Sequence, residues 1–311
     1  MKEVLMAILI VNQILKMLII LLIGYVCYKI GVIDQHGNTM MANLLLMVVN
    51  PLVAIMSLQT EYQPELLKGL VLSYLLALAA HGIAIMVSQL LICKTGNEEY
   101  SIERFCCVYS NCGFIGIPLI QSILGSEGVF YLTAYMTTFN ILSWTHGITL
   151  MTGKASWQTM KKGLLSPMIF SCIAGILLFL FRIKIPSVPA DAFTYVANMN
   201  TPLAMLIAGF SVAQTDLVKM VKNPRIYMIS ALKLLLIPSL VLILLMLIPV
   251  KREIALTILV ASACPAAASG TAFSLRFGKN YRYSSEMYAF TTLASLVTIP
   301  VFVFAADHYL L

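Results

Sequence analysis

Apolar runs of about 20 residues recur from one end of this chain to the other, parted by short polar connectors. Each is long enough to cross a hydrocarbon layer of roughly 30 Å as a helix. The pattern predicts an all-α polytopic membrane protein with ten transmembrane spans, at about residues 8–30, 39–59, 65–92, 102–123, 128–151, 163–182, 192–213, 225–248, 253–275 and 284–306. The first run reads as a retained span rather than a cleaved leader. Its leading segment carries a single lysine, Lys2, and Asn12, Gln13 and Lys16 interrupt the apolar stretch.

Some spans contain residues that weaken a helix. Span 4 includes SNCGFIGIP, residues 110–118, with Asn111, Gly113, Gly116 and Pro118. The glycines permit unusual dihedrals and close approach, and the proline removes a donor and crowds the preceding turn. Span 9 includes CPAAASGT, where Pro265 precedes a run of small residues. A helix interrupted at mid-membrane leaves backbone groups unpaired, at a cost on the order of several kcal/mol each in lipid. Something must therefore satisfy them.

The two halves of the chain overlay at a shift of about 150 residues. Span 4 then falls on span 9, Asn50-Pro51 of span 2 on Thr201-Pro202 of span 7, and GVFYLTAYMTTF of span 5 on EMYAFTTLASLV of span 10. The chain is predicted to be two five-helix repeats, 1–152 and 163–311, joined by a basic linker at 153–162. Five is odd, so the second copy enters the membrane from the opposite side, as in alternating-access carriers. One interrupted span is more often an ordinary kink, but two at corresponding positions point to a binding site.

Composition agrees with the pattern. Of 311 residues 60% are hydrophobic and 11% charged, and the mean hydropathy is +0.92, leaving no soluble domain to be found. A net charge of +7 would suggest nucleic acid in a soluble protein, but its distribution points elsewhere. Loops after odd-numbered spans hold twelve Lys and Arg, among them Lys94, Arg104, Lys161, Lys219, Arg225 and Lys279, whereas the other face holds six, Lys2, Lys68, Arg182, Lys184, Lys251 and Arg252. That bias predicts both termini outside, in a plasma or inner membrane. The seven cysteines, odd in number and without CxxC spacing, read as packing residues. The absence of DDxxD, HExxH and GxSxG argues against an enzyme, and no metal or cofactor is expected.

If spans 4 and 9 cross at their breaks, their half-helix N-termini bring roughly half a positive charge each, with N–H donors, to one point. That is a site for an anion. The candidate substrate-binding residues are Asn111, Gly113, Gly116 and Pro118 from span 4 and Pro265, Ala266, Ser269 and Thr271 from span 9. Hydroxyls such as the last two more often bond back to their own helix. All thirteen acids fall in loops or near span ends, which disfavours a cationic substrate and an Asp/Glu proton relay but leaves open a sodium site of carbonyls and hydroxyls. His81 and Lys233 occupy near-equivalent places in the repeats; either attracts an anion, and His81 can carry a proton, whereas Lys233 has the alternative of snorkelling towards the basic loop. For Asn50, Pro51, Thr201 and Pro202 two roles stay open, lining the substrate path or hinging the spans.

At GYVCYKIGVID, NPLVAIMSL, YSNCGFIGIPL, ASACPAAASGTAF and YAFTTLASLVTIPVF the chain resembles the auxin efflux carrier family, which includes plant PIN-FORMED auxin exporters and bacterial malate or malonate permeases. The resemblance covers essentially the whole chain. It implies two inverted five-helix repeats similar to bile acid/sodium symporters, with a scaffold of spans 1, 2, 6 and 7, often dimerising, and a transport domain of spans 3–5 and 8–10. It further implies an organic-anion substrate, such as malate, malonate or an auxin-like acid, bound at the crossover, where Asn111, Pro118 and Pro265 match the family motif. The long hydrophilic loop of many plant exporters is missing, so a compact bacterial-type carrier is the nearer match. Coupling to Na+ or H+ stays open. Short loops argue against a sensor that binds without transport.

Overall fold

Long apolar stretches in which few residues disfavour the helix can bury their own backbone only by becoming helical, and the described residues contain helices, turns and one isolated β-bridge. The computed structural model describes residues 2–154 and 157–309, and the side chains of residues 2–10, 159 and 162 fall outside that description. Part of the linker 153–162, and the side chains of Lys2, Glu3 and Lys162, therefore lie outside the described residues.

The helices are α1 (Lys2–Lys29), α2 (Gln35–Ser57), α3 (Pro64–Leu91), α4 (Tyr100–Val108), α5 (Cys112–Thr152), α6 (Trp157–Leu164), α7 (Pro167–Leu180), α8 (Ser187–Ala213), α9 (Leu217–Lys222), α10 (Pro224–Met246), α11 (Arg252–Ala263), α12 (Ser269–Arg276) and α13 (Tyr281–Tyr309). Seven of these are long and apolar enough to cross a membrane, and α7 is a shorter apolar helix, making this a multi-pass membrane protein. The 41 residues of α5 would extend about 60 Å if straight, twice the hydrocarbon thickness. They are not straight. Gly125, at φ 65° and ψ −152°, breaks the helix, and a Cβ on Gly128 would lie 2.7 Å from Ile120 Cγ2, a contact that requires the chain to fold back. α6 falls at the end of the predicted linker and was not expected there. It is short and of mixed polarity, and it lies against Trp144 of α5 at Gly163.

Three π turns share one cause. Leu45–Val49, Cys112–Gly116 and Leu232–Leu236 each end two residues before a proline, namely Pro51, Pro118 and Pro238. The proline ring crowds the carbonyl four residues back and gives it no N–H. Widening the turn lets the amide before the proline reach five residues back instead: Asn50 to Leu45, Ile117 to Cys112 and Ile237 to Leu232. The break expected at Asn50-Pro51 is thus a bulge in a continuous helix. In α8 regular helix is interrupted at Asn198–Met199, just before Asn200.

The helices pack in two groups. α1 lies along the second half of α8, while α2 packs on α7 and the first half of α8. α3, α4, α5 and α10–α13 pack on one another, and α5 and α13 also touch α1 and α8. The α1–α8 contact is backbone to backbone: a Cβ on Gly209 would stand 2.0 Å from Leu21 O, and one on Gly24 would stand 2.4 Å from Leu206 O. Gly209→Leu is expected to force these helices apart and cost about 2–3 kcal/mol. The apparent melting temperature of the purified variant checks this, and an unchanged value would mean that close approach is dispensable.

Candidate functional site

The two interrupted segments meet. Between α4 and α5 the chain opens at Tyr109–Asn111, and between α11 and α12 at Cys264–Ala268. Ser110 and Ala266 form an antiparallel bridge there: Asn111 N donates to Pro265 O (2.8 Å) and Ala267 N to Tyr109 O (2.9 Å). Thr291 of α13 receives Ala266 N on its Oγ1 at 3.1 Å. Each broken segment therefore satisfies much of the other's backbone, which answers the cost set by lipid. It also means that three amides at the crossing, those of Asn111, Ala266 and Ala267, are not free donors for an anion. A full positive charge at the crossing must come from a side chain.

Lys233 supplies it. It sits in the π turn that Pro238 imposes on α10, is 1% exposed, and donates through Nζ to Ser110 Oγ in the break and to Ser262 O (3.4 Å). It does not snorkel. Among the described residues the three ion pairs are Lys219–Asp216, Arg225–Glu103 and Arg252–Asp307, so this ammonium has no carboxylate partner there. Tyr135 OH lies 3.5 Å from Ser110 Oγ, and the His81 ring packs on the Tyr135 ring with centroids 4.6 Å apart. A carbonyl only accepts, so His81 Nδ1 carries the proton it gives to Ala77 O (2.8 Å), and Nε2 is buried without a partner. His81 and Lys233 thus approach the crossing from the two halves of the chain.

Asn111 is 5% exposed and its Nδ2 makes no hydrogen bond. The hydroxyl of Tyr288 lies close enough to Asn111 and Thr292 to interact with both. It is not in hydrogen-bonding geometry with either, and Tyr288 OH and Thr292 Oγ1 are likewise buried and unpaired. Gly116 faces Cys264, with room for a methyl group, and Pro118 is buried. Pro265 and Ala266 form the bridge itself. Ser269 has an unpaired Oγ, while Thr271 turns to Ser284 of α13 at 3.5 Å. Asn50 pairs not with Thr201 but with Asn200, one residue earlier, whose Nδ2 is 2.7 Å from Asn50 Oδ1 and 3.4 Å from Gly113 O. Pro51 is buried, Thr201 half-buried and Pro202 exposed. His146 packs beside Tyr109, whose hydroxyl is 2.9 Å from Nδ1.

Ser110, Ser262, Tyr135, Tyr288 and Asn200 are neighbours that the sequence reading did not single out, although the first four lie within its motifs. Isolated serines and tyrosines are ordinary in membrane helices. Asn200, however, lies 150 residues from Asn50, and an overlay made on the asparagines rather than on the prolines would have found it. A surface cavity of about 320 Å³ lies away from the crossing, at the ends of α2 and α7, beside Gln59, Tyr62, Arg182 and Lys184.

The sequence is 22% identical over 233 residues to an uncharacterized transporter of Methanothermobacter thermautotrophicus, a match covering 73% of this chain and 75% of that protein. It is 24% identical over 204 residues to the uncharacterized transporter YfdV of Escherichia coli K12, covering 62% of this chain and 64% of the relative. With the uncharacterized transporter MJ1031 of Methanocaldococcus jannaschii it shares 22% over 214 residues, 65% and 68% of the two lengths. The membrane transport protein family matches residues 9–303. That match begins in the first helix and ends in the last, taking in the crossing and its lysine, and the chain belongs to this family of transporters, the auxin efflux carrier type that its motifs resemble.

Proposed function

We propose that this protein is a secondary carrier that moves a small organic anion across the membrane by alternating access, holding its carboxylate at the crossing of the two interrupted segments. The observation that carries the reading is Lys233, a buried ammonium aimed into the break with no ion-pair partner among the described residues. An uncompensated charge in such a place costs several kcal/mol and is retained where a ligand completes it. A carboxylate is that ligand, with Asn111 as an added donor; malate, malonate and auxin-like acids are of the fitting class. The halves 1–152 and 163–311 are inverted repeats of ten spans in all, with both termini outside. Helices α1, α2, α7 and α8 form the scaffold, and α3–α5 with α10–α13 form the body that moves against it. With Asn111 at 5% and Lys233 at 1% exposure, this conformation is shut to solvent, and movement of the body opens the crossing to each side in turn.

A second reading concerns coupling. His81 holds a buried, unpaired Nε2 beside Tyr135, close to the ammonium, and this favours a proton over sodium as the coupled ion. Anion flux into proteoliposomes, compared with an imposed proton gradient, a sodium gradient and neither, separates the cases. Flux that responds to sodium alone rejects the proton.

Asn111→Ala should weaken anion binding by about 10- to 100-fold, the loss of one hydrogen bond to a charged group, with monodispersity unchanged. A thermal-shift screen of the purified protein against mono- and dicarboxylates and indole acids finds the ligand, since binding to the native state raises the melting temperature. Undiminished affinity in the variant would remove Asn111 from the site.

A further inference from the structure

On the side of α2 and α8 the crossing is met by one polar pair. Asn50 and Asn200 are each 3% exposed, and Asn200 Nδ2 donates both to Asn50 Oδ1 and to Gly113 O in the π turn of the break. Gly113 makes the approach feasible, because a Cβ there would stand 3.0 Å from Asn50 Nδ2. The neighbours decide which way the Asn200 amide points. A peptide carbonyl only accepts, so the atom facing Gly113 O is nitrogen, and the Asn50 atom facing that same nitrogen must be oxygen. Asn200 Oδ1 is the atom left over. It is buried, has no partner, and can only accept.

Across the break, Asn111 Nδ2 is also buried and unpaired, with the unpaired Tyr288 hydroxyl near it, and it can only donate. A ligand that bridges these groups would meet the ammonium of Lys233, an unpaired donor on Asn111 and an unpaired acceptor on Asn200. A plain carboxylate answers the first two and leaves Asn200 Oδ1 unsatisfied.

We infer that Asn200 is a specificity-determining residue, and that the substrate carries a hydrogen-bond donor, a hydroxyl or an N–H, in addition to its carboxylate. This rests on the anion-carrier reading and names the acids that the crossing selects. A site built to receive a donor discriminates strongly against the analogue without one, because its own acceptor is then stranded.

The test uses the purified full chain and matched acids: malate against succinate, lactate against propionate, and indole-3-acetate against its N-methyl analogue, titrated by calorimetry. In the pair that fits the site, the wild type is expected to bind the donor-bearing acid at least about 10-fold more tightly. Asn200→Leu should bind both members as the wild type binds the poorer one, and Asn200→Ala, which inserts no bulk, gives the same readout if the leucine variant does not fold. Wild type that binds a pair equally, or an Asn200 variant that keeps the full preference, overturns the inference while leaving the carrier reading in place. A folded wild type that binds none of the six acids overturns the carrier reading, and the inference falls with it.

Discussion

Lys233→Met is expected to bind the substrate anion about 100- to 1,000-fold more weakly than wild type, while the ligand-free variant is at least as heat-stable. The two effects have opposite signs because one group is responsible for both. Without ligand, the Lys233 ammonium is buried at the crossing and, among the described residues, is held by Ser110 Oγ and Ser262 O with no carboxylate in ion-pair reach. Methionine fills similar space, removes the stranded charge, and leaves Ser110 Oγ free to keep its bond to Ser262 O at 3.3 Å. With ligand, the same replacement deletes the full positive charge that Lys233 brings to the break. Melting curves of both proteins, with and without the acid found by screening, measure the pair of effects together. A variant that loses stability but keeps its affinity would show that Lys233 is a structural group rather than a substrate contact.

Arg225→Ala should destabilise the protein by about 3 kcal/mol without touching the crossing. Glu103, in the first turn of α4, has a side chain with no exposure and receives four hydrogen bonds: Arg225 Nε at 2.5 Å and Nη2 at 2.6 Å, Tyr283 OH at 2.9 Å and Asn97 Nδ2 at 2.7 Å. These tie the starts of α4, α10 and α13 to the loop after α3, and a second bond, Asn280 to Glu99 at 2.8 Å, runs alongside. Removing the arginine strands the carboxylate. The guanidinium is itself nearly half exposed, which places the loss at the lower end of the range for broken buried pairs. Adding Glu103→Gln to Arg225→Ala takes the charge away and should recover part of the stability, a comparison that chemical or thermal denaturation of the single and double variants can make. No loss in the single variant would mean that water replaces the guanidinium at little cost.

Glu103 also shows where local reading stops. Its position near the end of a span is as the hydropathy pattern has it, yet that pattern says nothing of its burial, which depends on three other elements arriving at the same place. Lys233 is similar. Its neighbours in sequence allow either a snorkelling side chain or an inward one, and the choice follows from the π turn before Pro238 and from Ser110, which is far away in the chain. Three backbone donors at the crossing, those of Asn111, Ala266 and Ala267, are taken, because two broken segments laid antiparallel pair with each other and with Thr291.

The apolar helices, the interruptions at Asn111–Pro118 and at Pro265, and the family resemblance are legible along the chain. These are local signals: hydropathy along a run, and residues that forbid or strain a helical turn wherever they stand. Packing is what brings the interruptions together, turns the chain back at Gly125, pairs Asn50 with Asn200, and buries one ammonium and one carboxylate in different company. In a membrane the lipid-facing and core-facing sides of a helix are equally apolar, so composition gives little hint of rotation or partner. Which polar atom meets which is set by how the packed helices are turned and slid against one another, a relation between distant residues that no single stretch of the chain contains.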